Sequence, residues 1–131
     1  MTGALPAENI HLCRAYDART GEKTTGARLL VDRLWPRGIA KADLPLDAWL
    51  KDLAPSTDLR KWFGHDPAKW AEFGRRYRDE LHKAPDAVDH ALDWCRKGPV
   101  TLIYGAKDTH HNQALVLRDF LAERLVREAR T

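Results

Sequence analysis

Strand-like apolar patterns open the chain and return near residue 100, while a period near 3.6 runs through its middle and its close. "IHLCRAY" (Ile10–Tyr16) alternates, with Ile10, Leu12, Arg14 and Tyr16 on one side, and predicts a strand. "DARTGEKTTGA" then reads as an exposed loop. "RLLVDRLW" (Arg28–Trp35) predicts a second strand whose apolar start implies burial on both faces. Pro36 ends it, because proline has no N–H for a ladder.

Helical spacing takes over next. In "DLPLDAWLKDL", Leu46, Trp49, Leu50 and Leu53 fall at i, i+3, i+4 and i+7. "PSTDLRKWFG" offers Ser56 or Thr57 as an N-cap and stops at Gly64. "DPAKWAEFGRRYRDELHKA" opens with Asp66 as cap and Pro67 at the first helical position, then lines Trp70, Phe73, Tyr77 and Leu81 along one face. "DAVDHALDWCRKG" repeats the spacing with Val88, Ala91, Leu92 and Cys95, and Gly98 lies just past its end. "PVTLIYGA" (Pro99–Ala106) predicts a third strand, and "HNQALVLRDFLAERLVREA" a closing helix buried through Ala114, Leu117, Phe120, Leu121 and Leu125.

The predicted order is strand, strand, helices, strand, helix. It gives an α/β fold: a small, mostly parallel sheet of about three strands flanked by five or so helices in one domain. Residues 1–9 read as a lead, 10–126 as the domain and 127–131 as a tail. The long helical crossover favours parallel second and third strands. The loop between the first two strands is short for a crossover, which leaves their relative direction open.

Composition narrows the class. The chain has 131 residues, 22 Lys and Arg against 19 Asp and Glu, and net charge +3, a mild bias towards anionic partners. No apolar run reaches the roughly 20 residues of a membrane span, and the N-terminus lacks the pattern of a secretory leader. The expectation is a cytoplasmic protein with no membrane partner, its two cysteines, Cys13 and Cys95, reduced in the core.

Ligands of open α/β sheets bind at the carboxyl ends of the strands. Two loops qualify, "DRLWPRG" after the second strand and "YGAKDTHHN" after the third. Arg33 and Trp35 are expected to share a face with Leu29 and Val31 and to leave the core together, with Arg37 following the proline. The second loop brings Lys107, Asp108, His110, His111 and Asn112 to a helix start, where unpaired N–H groups attract anions. The candidate ligand-binding residues are therefore Arg33, Trp35, Arg37, Lys107 and Asn112. Asp32 and His111 are the candidate catalytic pair, His111 because imidazole titrates near neutrality. Their implied ligand is a small anion, phosphorylated or nucleotide-like.

Each residue also has a structural reading: Asp32 and Arg33 as fold-fixing pairs, Asp108 or Thr109 as a plain cap, the histidines as solvated groups. No metal site is predicted, because adjacent histidines lack the spacing of a helical ligand pair. No nucleophile elbow, phosphate loop or dinucleotide fingerprint occurs, and no cofactor is indicated. A second functional reading is nucleic-acid binding or regulation through "RKWF" and "RRYR", where arginines adjoin aromatics. A third is a protein-interaction module built on the tryptophan-rich helices.

"VDRLWPRG", "WLKDLAPSTDLRKWFGHDPAKWAEFGRRYRDEL" and "VTLIYGAKDTHHNQALVL" resemble the YeaO-like branch of domain-of-unknown-function family 488, over about residues 8–126. The resemblance implies a small single-domain bacterial or archaeal α/β protein and carries no activity with it. The wider family is similar in ending one strand with an acid and an arginine, here Asp32 and Arg33. Its other branches carry cysteine, histidine and arginine at the start of the last helix, where this chain has "HHNQ". The thiol chemistry that cysteine would imply is therefore not carried over.

Overall fold

A computed structural model describes residues 6–19 and 24–130. Strands β1 (Ile10–Arg14), β2 (Ala27–Leu30), β3 (Ala48–Trp49) and β4 (Val100–Tyr104) form one sheet in the order β1-β4-β2-β3. Every pairing is parallel, so the first two strands run the same way with β4 between them. The α-helices among the described residues are α1 (Thr57–Phe63), α2 (Trp70–His82), α3 (Pro85–Lys97) and α4 (Gln113–Ala129). The sheet thus has one strand more than the sequence pattern predicts, and the layer around it one helix fewer.

The difference lies in "DLPLDAWLKDL". This segment is a short edge strand between two 3₁₀ turns. Pro45 has no N–H to give a helix, and the open edge of β2 captures the chain instead. Asp47 N–H donates to Arg28 O and Leu50 N–H to Leu30 O, both at 2.8 Å. The Asp47 carboxylate also accepts the Arg28 N–H at 2.7 Å. The apolar spacing marks burial on two sides of the sheet: Leu46 and Trp49 join one core cluster, Leu50 and Leu53 the other.

Alternation in β2 and β4 divides those clusters. Leu29, Leu102 and Tyr104 face α1–α4, while Leu30 and Ile103 face the segment around Ile39 and Leu44. Every residue of β4 is buried, as its central place requires. Burying such side chains stabilises by about 1.5–3 kcal/mol each. A close approach at the start of β2 demands glycine. Gly26 sits at φ +71°, and a Cβ there would lie 2.0 Å from Pro99 O.

Local signals place the helices. Ser56 Oγ accepts the Leu59 N–H at 3.1 Å to start α1, and Gly64, in the left-handed region at φ +54°, ends it. Asp66 caps the 3₁₀ turn Pro67–Lys69 that leads into α2. Asp89, Asp93 and Glu128 surround Arg96 and tie α3 to α4. Neither cysteine is in a disulfide, and burial pushes the Cys95 thiol up to about 11, away from nucleophilic use. Among the described residues no helix is long and apolar enough to cross a membrane.

Candidate functional site

The last ladder bond of β2 runs from Val31 N–H to Ile103 O at 3.0 Å. Beyond it the chain bends at Arg33 and Leu34, three residues after the strand has ended. That bend corrects one expectation: Trp35 does not share a face with Leu29 and Val31. It crosses to the other cluster, donates Nε1–H to Ile39 O at 2.6 Å and meets Trp49 edge-on at 5.5 Å.

Because β2 and β4 are parallel neighbours, their exits lie side by side, and a cleft of about 510 Å³ opens there. Asp32 sits between the two exits. One of its carboxylate oxygens accepts the Gly105 N–H at 2.8 Å and the other accepts from Gln113 Nε2, at the first turn of α4. A Cβ on Gly105 would come within 2.8 Å of that carboxylate, so glycine is what lets the acid approach. The Asp32 carbonyl takes the Trp49 indole N–H at 2.7 Å, which fixes the residue from behind. Burial pushes the Asp32 carboxyl up to about 6, against the opposing pull of the Gly105 and Gln113 bonds and the charge of Arg60.

Three arginines line the cleft with this acid. Arg33 is half-buried and uses Nε and Nη2 to hold Pro55 O at 3.2 Å and Ala54 O at 3.1 Å. A guanidinium has five N–H donors, so the Nη1 pair is left over. Arg37 and Arg60 are exposed, and among the described residues neither side chain makes a hydrogen bond or ion pair. The Tyr16 hydroxyl anchors the Arg37 carbonyl at 2.8 Å. Phe63, Phe73 and Trp35 give the cleft apolar walls.

The loop after β4 is built around Asp108. Its Oδ1 accepts the N–H groups of His110 and His111 at 2.8 and 3.1 Å, and its Oδ2 meets His111 Nδ1 at 2.9 Å. These bonds hold the carboxyl of Asp108 below its usual range, His110 first. They also fix the His111 ring, which stands edge-on to Trp70 at 5.4 Å and lines the cleft. Asn112 lines it too, but as the N-cap of α4. Its Oδ1 accepts from Ala114 and Leu115 N–H at 3.0 and 3.3 Å, and its Nδ2 donates to Asp108 O at 3.0 Å.

The structure therefore gathers Asp32, Arg33, Trp35, Arg37, His111 and Asn112 around one cleft and leaves Lys107 outside its lining. Sequence reasoning missed Arg60, Gln113 and Gly105. Gln113 follows directly on "HHN" and was findable as the first residue of the helix, but Arg60 reaches the cleft only through the docking of α1. Among the described residues no three His, Cys, Asp or Glu side chains converge as metal ligands.

Unlike Arg60 of α1, the arginines of α2 are satisfied internally. Glu72 binds both Arg75 and Arg76. The Arg76 guanidinium lies 4.2 Å from the centre of the Trp62 ring and the Lys69 ammonium 5.1 Å. Arg78 forks onto Glu123 of α4 at 3.1 and 2.9 Å.

The family model described as the inactive DUF488-N3 subclade matches residues 9–131. The chain is 47% identical to "Uncharacterized protein YeaO" of Escherichia coli, a match covering 86% of this chain and 96% of that protein. It is 38% identical to "Uncharacterized protein Rv3073c" of Mycobacterium tuberculosis, over 86% of this chain and 92% of the other. No solved structure matches. The acid and arginine at a strand end, the "HHNQ" helix start and a match running nearly from end to end agree: the chain belongs to the DUF488 family, in the branch it shares with YeaO.

Proposed function

We propose that the protein binds a small phosphorylated or similarly anionic molecule in the cleft between the exits of β2 and β4. The observation that carries this reading is the imbalance of charge there: Arg33, Arg37 and Arg60 line the cleft against the one carboxylate of Asp32. Guanidinium groups recognise phosphate through paired, coplanar hydrogen bonds. A volume of about 510 Å³ suits a small molecule, since ligand pockets run at roughly 300–1,000 Å³.

Holding a ligand fits this chain better than turning it over. The family description, an inactive subclade, favours it, and so does the "HHNQ" sequence without the cysteine of other branches. Asp32 and His111 remain the groups through which a proton would move if the bound molecule reacts. The nucleic-acid reading is weaker, because Arg75 and Arg76 share Glu72 and cations cover the Trp62 ring on which a base would stack.

Calorimetric titration with ribose 5-phosphate tests the proposal. Arg37→Gln and Arg60→Gln remove exposed charges without touching the core. Each is expected to weaken binding about tenfold, as loss of a charge-assisted hydrogen bond does, and added salt to weaken it further. Binding unchanged in the double variant, or no binding of any phosphate ester, would overturn it.

A further inference from the structure

The cleft carries an acid that its cations do not explain. Asp32 is half-buried, lines the cleft and has no ion-pair partner within salt-bridge distance among the described residues. A carboxylate placed only to be neutralised would touch one of the three arginines. This one is aimed instead by two neutral donors, the Gly105 N–H at 2.8 Å and the Gln113 amide. Each donor takes a different oxygen. An ionised carboxylate has about four acceptor positions, so among the described residues one on each oxygen is left over.

The cleft that holds this acid and the exposed Arg37 and Arg60 also has aromatic walls. Phe63 and Phe73 stack with ring centres 4.4 Å apart, and both line the cleft. The cleft thus combines acceptors, the edges of an aromatic stack and cations. Inorganic phosphate or a sugar phosphate would use only the last of these.

Resting on the anion-binding reading above, we propose that the ligand is a phosphorylated heteroaromatic compound with two adjacent N–H donors on its ring edge, the lactam–amine edge of a guanine nucleotide. The two donors meet the two oxygens of Asp32, the ring lies against the aromatic wall and the phosphate reaches Arg37 and Arg60. An adenine edge presents an acceptor beside its single amino group, and the carboxylate repels it. In this scheme Gln113 is a positioning residue, which turns the acid to face the ring.

The test is calorimetric titration of the intact protein with guanosine, adenosine and inosine 5′-monophosphates and with ribose 5-phosphate. The guanine nucleotide is expected to bind at least about tenfold tighter than inosine monophosphate, which lacks one donor, and tighter still than the adenine nucleotide. Asp32→Asn is expected to abolish that preference and, by removing a negative charge from the cleft, to bind ribose 5-phosphate at least as tightly as the parent does. If the guanine nucleotide binds no better than ribose 5-phosphate while Arg60→Gln still weakens both, the base assignment is wrong and the anion site stands. If none of the four binds, both fall. Should Asp32→Asn not fold, the ratio of guanine to inosine nucleotide affinity in the unaltered protein decides alone.

Discussion

The carboxylate of Asp32 accepts the backbone N–H of Gly105 at 2.8 Å, joining the residue that leaves β2 to the residue that leaves β4. One hydrogen bond therefore closes the floor of the cleft, and its length depends on the missing side chain of Gly105. In Gly105→Ala the new Cβ would lie 2.8 Å from Asp32 Oδ2, so the acid or the loop must move. Overpacking of this kind costs about 1–3 kcal/mol. Urea denaturation should show the loss, and an unchanged midpoint would contradict this account of the floor.

The raised carboxyl of Asp32 makes stability depend on pH in a stated direction. The unfolded chain gives up this proton near 3.8 and the folded one near 6. Across that window the folded state binds more protons, so stability falls as pH rises from about 4 to about 6 and stays lower above. At 1.36 kcal/mol per pKa unit the loss is on the order of 3 kcal/mol. Asp32→Asn removes it, provided Gln113 turns its amide to accept from the new side chain. The variant should be more stable than the parent at pH 8 and about equal to it at pH 4 in urea melts; a gap that does not change with pH would refute the assignment.

Ligand binding should show the opposite trend. Donors from a ligand meet the ionised form of Asp32, so affinity for guanosine monophosphate should fall as pH drops through about 6. Gly105 N–H, Gln113, the Arg60 charge and Tyr77 bear on Asp32, His65 and His111 line the same cleft, and the ligand phosphate has its own second pKa of about 6, so the guanine nucleotide is read against ribose 5-phosphate. A profile for the guanine nucleotide no steeper than that of ribose 5-phosphate would count against the contact.

Asn112 should prove structural. Its amide is spent on capping α4 and on the Asp108 carbonyl. Asn112→Ala is expected to cost about 1–2 kcal/mol in thermal or urea unfolding. Asn112→Ser keeps an acceptor for the helix N–H groups without setting a second oxygen against Asp108 O, and should recover part of that loss. Equal destabilisation by both would show that the cap is not what matters.

Much of this architecture is legible along the chain, and the failures share a cause. The helices with strong start and stop signals, such as Ser56 to Gly64, follow from local chemistry that holds wherever the segment sits. The segment around Trp49 does not, because its helical spacing is decided by the unfilled edge of β2, a long-range partner the pattern does not record. The path of Trp35 was lost likewise: a bend at Arg33 and Leu34 has no sequence mark as clear as Pro36. For the cleft, both loops were visible as polar strand exits, and the parallel pairing of β2 with β4 brings them together. Arg60 and the aromatic walls come from helices docked across the sheet, and only the assembled fold shows them.

The central claim is that a small phosphate-bearing molecule sits where β2 and β4 end. Amide chemical-shift mapping of the uniformly ¹⁵N-labelled protein, titrated with guanosine 5′-monophosphate, tests it most directly. The account predicts the largest shifts at Arg33, Gly105, His111 and Gln113, saturating together. Shifts confined to Arg75, Arg76 and Trp62 on α1 and α2, or none at millimolar nucleotide, would contradict it.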